Sequence, residues 1–108
     1  MKVAEELKYY RSMKVEAEYL AAKLEDLIHD AKADAGEVEM VRATLDDLLM
    51  HCANAERIIK TAPNSSIRMI LIMRYQHGMS WREVAGKTGD DISADTVRKR
   101  AEHYLSSL

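Results

Sequence analysis

The segment Ser80–Arg100 reads SWREVAGKTGDDISADTVRKR and contains two short helical patterns with a glycine between them. Ser80 and Glu83 have the spacing of a capping box, which predicts a helix that begins at Trp81. Ser93 has a side chain suited to the N-cap position and predicts the start of a second helix. The segment therefore predicts two short helices joined by a turn.

The second of these helices combines an inward apolar stripe with an outward charged surface. The stripe recurs at steps of three and four residues and consists of Val97, Ala101, Tyr104 and Leu108. The first helix is expected to turn Val84 and Ala85 inward. Gly89 is expected to take a positive φ in a tight turn between the two helices.

The residues before this segment complete a three-helix unit. Pro63, the only proline, lies in the sequence TAPN and marks a domain boundary. Asn64 or Ser65 can cap a helix through SSIRMILIMRYQH, which is apolar nearly all round and is therefore expected to be buried. Gly78 is the expected stop signal of that helix. Residues 63–108 are thus predicted to form a helix-turn-helix domain.

Residues 1–62 are predicted to form a long helical hairpin of the coiled-coil type. The first helix is expected to run from Val3 to Ala33, roughly 45 Å at about 1.5 Å per residue, and to stop at Gly36. The apolar stripe of the second helix has a strict 3-4 spacing and consists of Val38, Val41, Leu45, Leu48, Cys52, Ala55 and Ile59. The predicted fold is therefore all-α, a helical hairpin followed by a three-helix helix-turn-helix unit.

The hairpin also predicts self-association. Two helices alone leave apolar residues such as Leu49 and Ile58 uncovered. Helices from a second copy of the chain would cover them, and a dimer is the favoured homo-oligomer. A purely structural role for the hairpin, as support for a small C-terminal domain with a marginal core, is the alternative.

Composition argues against a membrane protein and against an enzyme. No stretch of about 18 apolar residues is present, and the N-terminus lacks the apolar core of a signal peptide. Cys52 is the only cysteine, so a buried structural thiol and a cytoplasmic location are expected. The four histidines are scattered singly, and no nucleophile, base and glycine-rich phosphate loop occur together. No metal, cofactor or catalytic site is predicted.

Charge is unevenly distributed along the chain, whose net charge is −2. Residues 1–60 contain nine Lys/Arg and thirteen Asp/Glu, a balance of −4. Residues 61–108 contain seven Lys/Arg and five Asp/Glu, a balance of +2. This asymmetry suggests that the C-terminal part binds an anion.

The stretch LIMRYQHGMSWREVAGKTGDDISADTVRKRAEHYL, residues 71–105, resembles the C-terminal, promoter-reading helix-turn-helix (region 4) of sigma-70-type factors. The shared features are an apolar helix ending in RY, a following glycine, the run S-W-x-E-V-A, and a final S…T-V-R. In small phage regulators of the ArpU and RinA type, a similar module follows a helical N-terminal segment, which is the layout of this chain. The resemblance implies transcriptional control of phage or prophage genes through duplex DNA.

The resemblance assigns the second helix of the segment to DNA reading, and side chains near the N-terminus of such a helix reach base edges in the major groove. Arg98 and Lys99 can pair with guanine or phosphate, and Arg100 and Arg82 with phosphate. Three consecutive cations also fit a solvated helix face, and the surrounding pattern is what favours DNA. The predicted DNA-binding residues are Arg82, Ser93, Asp95, Thr96, Arg98, Lys99, Arg100 and His103.

One departure from the sigma pattern leaves other functions open. Asp90 and Asp91 are inserted between Gly89 and Ile92, where a longer turn changes the angle of the reading helix and two carboxylates oppose a phosphate backbone. One alternative function is a small terminase-like DNA-packaging subunit, which would assemble into a ring. The other is a module that docks on RNA polymerase or a sigma factor without binding DNA, which the net acidity favours.

Overall fold

The computed structural model describes residues 2–89 and 91–108, and all the regular secondary structure within these residues is helical, without a strand. The predicted all-α class is confirmed. One stretch, Ile72–Gln76, is a π-helical turn. The six α-helices of the described residues are α1 Val3–Lys8, α2 Tyr10–Ile28, α3 Ala35–Lys60, α4 Ser65–Leu71, α5 Trp81–Thr88 and α6 Ala94–Ser106.

Two long helices give the molecule its elongated shape, 61 × 24 × 18 Å. α2 packs along α3, and α1 packs against α3 near the end that adjoins the C-terminal helices. We call residues 16–47 the arm and the remaining described residues the body. Within the arm the buried side chains are Ala17, Val41 and Leu45.

A single apolar core fills the body and crosses the domain boundary predicted between residues 62 and 63. Tyr10, Cys52 and Ile59 from the first part of the chain pack in one cluster with Leu71 and Val97 from the second. Cys52 is buried, as predicted, and burial raises the pKa of its thiol. The C-terminal helices thus pack against the start of α2 and the end of α3. The two-domain organisation itself stays a prediction.

The first helix differs from its prediction in both continuity and length. It is interrupted at Tyr9, where φ is −97° and ψ is 3°, and it ends at Ile28 instead of near Ala33. After Ile28 the Asp30 carboxylate accepts a hydrogen bond from the Lys32 amide, 2.9 Å away. Such local side-chain bonds offer the backbone an alternative to the helix.

Gly36 was predicted to stop this first helix, and that prediction is wrong. Gly36 is the second residue of α3, whose N-cap position is Asp34. Glycine weakens a helix through its backbone entropy and not through a lost hydrogen-bonding group, so a glycine in the first turn does not prevent α3 from forming.

The helix predicted to be buried on all sides is buried on one side only. Ile70 and Leu71 are fully buried, whereas Met69 is 48% exposed. The Asn64 side chain caps α4 by accepting a hydrogen bond from the Ile67 amide at 2.9 Å, as expected. After Leu71 the helix widens into the π-helical turn, which rotates the following residues away from a continuous α-helical face.

Gly78 closes the π-helical turn in a conformation that only glycine adopts readily. Its φ is +70°, in the left-handed region. An added Cβ would overlap the guanidinium of Arg11, which reaches across from α2. At Gly78 the backbone before α5 therefore comes close to the Arg11 side chain of α2.

Polar contacts also attach the first helices to α3. The Tyr10 hydroxyl donates to Glu56 Oε1 at 2.7 Å and accepts from the Lys14 ammonium at 3.2 Å. The Glu6 carboxylate, 6% exposed, lies 3.3 Å from Nδ1 of His51. Burial, followed by the hydrogen bond to Glu56, raises the pKa of Tyr10.

Candidate nucleic-acid interface

The helix that supports the candidate interface, α5, begins as predicted. Ser80 Oγ accepts a hydrogen bond from the Glu83 amide, and Glu83 Oε1 accepts one from the Ser80 amide, both at 3.1 Å. The predicted capping box is confirmed. The hydrogen bond from the Ser80 backbone lowers the pKa of the Glu83 carboxyl, because it stabilises the charged form.

Trp81 has a packing role. Its ring meets the Tyr75 ring edge-to-face, with centroids 6.2 Å apart, and the Arg74 guanidinium lies 4.8 Å from its centroid. Arg74 also donates to the Met79 carbonyl at 2.9 Å. These three side chains close the loop between the π-helical turn and α5, and they fix the direction in which α5 starts.

α6 packs on α5 through small and branched apolar side chains. Val84 and Ala85 of α5 and Val97 and Ala101 of α6 are all buried. The next buried residue of α6 is Leu105; the predicted Tyr104 is half-buried, and the predicted Leu108 is 61% exposed beyond the helix. Leu105 follows Ala101 by four residues and so continues the inward face, which the sequence prediction placed slightly off.

The turn between α5 and α6 does not use a left-handed glycine. Gly89 has φ 160° and ψ 155°, which is an extended conformation. The left-handed conformation predicted for this glycine is therefore wrong. A Cβ at Gly89 would meet Ile92 at an ordinary 3.6 Å. Five residues separate the helices, so the connection needs no tight turn. Of the inserted carboxylates, Asp91 is exposed, and Asp90 lies outside the described residues.

The first half of α6 carries a cluster of alternating charges. Arg98 forms ion pairs with Asp95 and with Glu102, the latter at 3.0 Å, and the Lys99 ammonium lies 2.9 Å from Asp95. Hydrogen bonds from Lys99 and then Arg98 lower the pKa of Asp95. The bond to Asp95, followed by that to Glu102, raises the pKa of Arg98. Exposed ion pairs of this kind are weak and readily exchanged, because water screens them.

The three consecutive cations of α6 point in three directions. Successive helical residues are rotated by about 100°, so Arg98, Lys99 and Arg100 cannot share a face. Lys99 points away from the core, and its side chain is 69% exposed. Arg98 lies on the same side of α6 as Glu102, and Arg100 lies on the opposite side.

Arg100 and His103 line a cleft of about 570 Å³ between α6 and the connection from α3 to α4. The other walls of this cleft include Pro63, Asn64 and Ile67. The structure therefore separates these two predicted site residues from the charged cluster that contains Arg98.

The remaining predicted residues lie at helix starts. Ser93 caps α6 by accepting a hydrogen bond from the Thr96 amide at 3.1 Å, and the two hydroxyl oxygens lie 2.9 Å apart. The predicted cap at Ser93 is confirmed. Arg82 is exposed in the first turn of α5 and forms no ion pair within residues 2–89 and 91–108. Glu102 was missed as a member of the cluster, although its i,i+4 spacing from Arg98 indicates the pair.

Among residues 2–89 and 91–108, no group of three His, Cys, Asp or Glu side chains is placed to hold a metal ion. In that same part, every helix is too short or too polar to cross a membrane.

Comparisons of the chain with protein-family models, with curated proteins and with solved structures find no match.

Proposed function

We propose that the protein is a DNA-binding transcriptional regulator of phage or prophage genes that reads duplex DNA with α6. The observation that carries the proposal is the placement of α6: its inner face is fixed on α5 by Val84, Val97 and Ala101, and its capped N-terminal half is exposed. A rigidly held helix with a polar N-terminal half is what the major groove accepts.

The exposed cations next to this surface favour a nucleic acid. Arg82 and Lys99 are both exposed, on α5 and α6. Arg98 can exchange a carboxylate partner for a phosphate at little cost, because both of its partners are solvent-exposed. Asp95 and Glu102 offset part of the positive charge, so a single α6 is expected to bind weakly and with few phosphate contacts.

Weak binding by one module is a reason to propose a dimer. A dimer formed through the hairpin would present two reading helices, and helix-turn-helix dimers bind half-sites one DNA turn, roughly 34 Å, apart. The summed contacts of two modules then supply the affinity that one lacks.

The test is fluorescence anisotropy of labelled duplex DNA over a salt series that begins at low salt, with wild type and an Arg98/Lys99/Arg100→Ala variant. We expect a negative slope of log affinity against log salt that shrinks by about two to three units in the variant, at about 0.9 per lost phosphate contact. A Lys8/Lys23/Lys32→Ala variant loses the same charge elsewhere and is expected to keep the wild-type slope.

A second candidate function is docking on RNA polymerase or a sigma factor without DNA contact. It is favoured by the carboxylates around the candidate surface, which are Asp91, Asp95 and Glu102. Absence of DNA binding at low salt, or equal binding by wild type and the Arg98/Lys99/Arg100→Ala variant, would support this function over the first. A ring-shaped assembly that binds DNA would instead support the packaging subunit.

A further inference from the structure

One face of the α2–α3 layer is uncovered and apolar at its centre. A groove of about 200 Å³ runs between the two helices; its floor includes Ala17 and Ala21 from α2, and Leu45 and Leu49 from α3. α1 lies on another side of α3, where Glu6 meets His51. His51 is two residues beyond Leu49, about 200° around the helix, so α1 cannot cover the groove.

Leu49 marks the centre of this face. It is 51% exposed and lies beside the small side chains of Ala17 and Ala21, which leave a depression in α2. A large side chain next to a depression is the arrangement by which helices interlock. The same surface therefore offers both the projection and the recess that a symmetric contact needs.

Two opposite charges on α3 lie at equal distances on either side of Leu49. Arg42 precedes Leu49 by seven residues and Glu56 follows it by seven, so all three lie nearly in line along the helix. Two antiparallel copies of α3 that cross at Leu49 would bring Arg42 of each copy opposite Glu56 of the other. Both contacts that Glu56 makes within the described residues, with Tyr10 and Lys14, use Oε1 and leave Oε2 for such a pair.

The charge of the whole chain selects the antiparallel arrangement over the parallel one. The arm contains three Lys/Arg and ten Asp/Glu, a balance of −7, whereas the rest of the sequence contains thirteen and eight, a balance of +5. Parallel copies would place two acidic arms side by side. Antiparallel copies place each acidic arm beside the positively charged body of the other copy.

We propose that this groove is covered by the same groove of a second copy of the chain, in an antiparallel four-helix contact centred on Leu49. From Leu49 to Lys60 at the end of α3 is eleven residues, about 16 Å, so the C-terminal ends of the two α3 helices lie on opposite sides of the contact and about 33 Å apart along it. The contact itself does not depend on DNA binding.

The first test is the mass of the full-length chain in solution, by light scattering after gel filtration, compared with the monomer mass of 12.3 kDa. We expect a dimer for wild type and a monomer for Leu49→Asp. Met50→Asp is the matched control, because Met50 is the next residue of α3, is also 51% exposed and does not line the groove. It is expected to remain a dimer. A monomeric wild type, or a dimeric Leu49→Asp variant, would overturn the proposal.

The second test addresses the antiparallel register. Arg42→Glu places like charges opposite each other, as does Glu56→Lys, and each variant alone is expected to be monomeric. In a mixture of the two, both contacts become attractive again, so we expect a heterodimer. Dimers from either variant alone, or monomers in the mixture, would contradict the register. Circular dichroism melts of both variants check that each is folded before mixing.

The results of these two tests can be told apart from the result of the DNA-binding test. A Leu49-dependent dimer without DNA affinity keeps this inference and removes the DNA proposal, whereas a DNA-binding monomer does the reverse.

Discussion

The arm and the body are built from the same kind of amphipathic helix but are stabilised to different degrees. In the body, residues from all six α-helices bury a common cluster that includes Leu7, Ile70, Leu71 and Val84, each at most 1% exposed. In the arm, α2 and α3 bury only the side chains that lie between the two helices, and the side chains of Leu20, Leu24 and Leu27 stay half-exposed. A pair of long helices therefore buries little apolar surface unless a third element covers it, and most helical stability in proteins comes from such packing.

The largest expected difference comes from the same substitution made in each region. Leu71→Ala removes a fully buried side chain from the body and is expected to lower the free energy of unfolding by about 2–5 kcal/mol. Leu20→Ala in the half-exposed arm is expected to cost about 1 kcal/mol. Urea unfolding followed by circular dichroism measures both. Equal costs would show that the arm is covered in solution more completely than in the isolated chain, and Leu20→Ala would then also shift the monomer–dimer equilibrium.

A pair of glycine substitutions sharpens the comparison. Gly78→Ala puts a Cβ on a left-handed residue of the body and against Arg11, and is expected to destabilise by at least about 1–2 kcal/mol. Gly36→Ala in the arm has no such strain, because the nearest obstacle is the mobile end of the Asp34 side chain at 3.2 Å. A gain of about 0.5 kcal/mol is expected there from the better helix propensity of alanine. Thermal melts that show the same sign for both variants would contradict this assignment.

The smallest expected effect concerns the polar contact at the junction of the two regions. Tyr10→Phe removes the hydroxyl that donates to Glu56 and is expected to cost about 1 kcal/mol. The pKa of Tyr10 is raised in the folded protein, so its stabilising contribution is fully present below the ordinary tyrosine pKa and is lost as pH rises through the folded value. Wild type is therefore expected to lose more stability than Tyr10→Phe on going to alkaline pH. Tyr19→Phe, at a tyrosine 64% exposed on the arm, is the control and should match wild type at every pH.

Features encoded by a few neighbouring residues were predictable from the sequence. The caps at Asn64, Ser80 and Ser93 follow from one side chain and the amide three residues later, and all three are confirmed. The apolar stripe of α3 was predictable for a similar reason, since a repeat of three and four residues defines one helix face. Val41, Leu45, Cys52, Ala55 and Ile59 of that stripe are buried.

Features that depend on distant residues were not predictable. Gly78 is left-handed where Arg11, sixty-seven positions earlier in the chain, lies over it, and no local pattern announces this contact. Leu7 and Tyr10, on the two sides of the break at Tyr9, both lie in the core, and no local sequence pattern indicates that break. The surroundings of Arg98 are different, because Asp95 and Glu102 stand at helical spacing and could have been read from the sequence. The DNA contacts assigned to these residues stay predictions.

The segregation of charge along a 61 Å molecule has a consequence for how the protein meets any charged surface. At distances where single side chains are not resolved, an end at −7 and a remainder at +5 act as a permanent electric dipole. The electric field of a polyanion exerts a torque on this dipole and turns the acidic arm outward before contact is made. This requires an ionic strength that leaves a Debye length of about 10 Å or more. The molecule therefore arrives already oriented, and added salt would slow productive encounters even where it leaves the final complex intact.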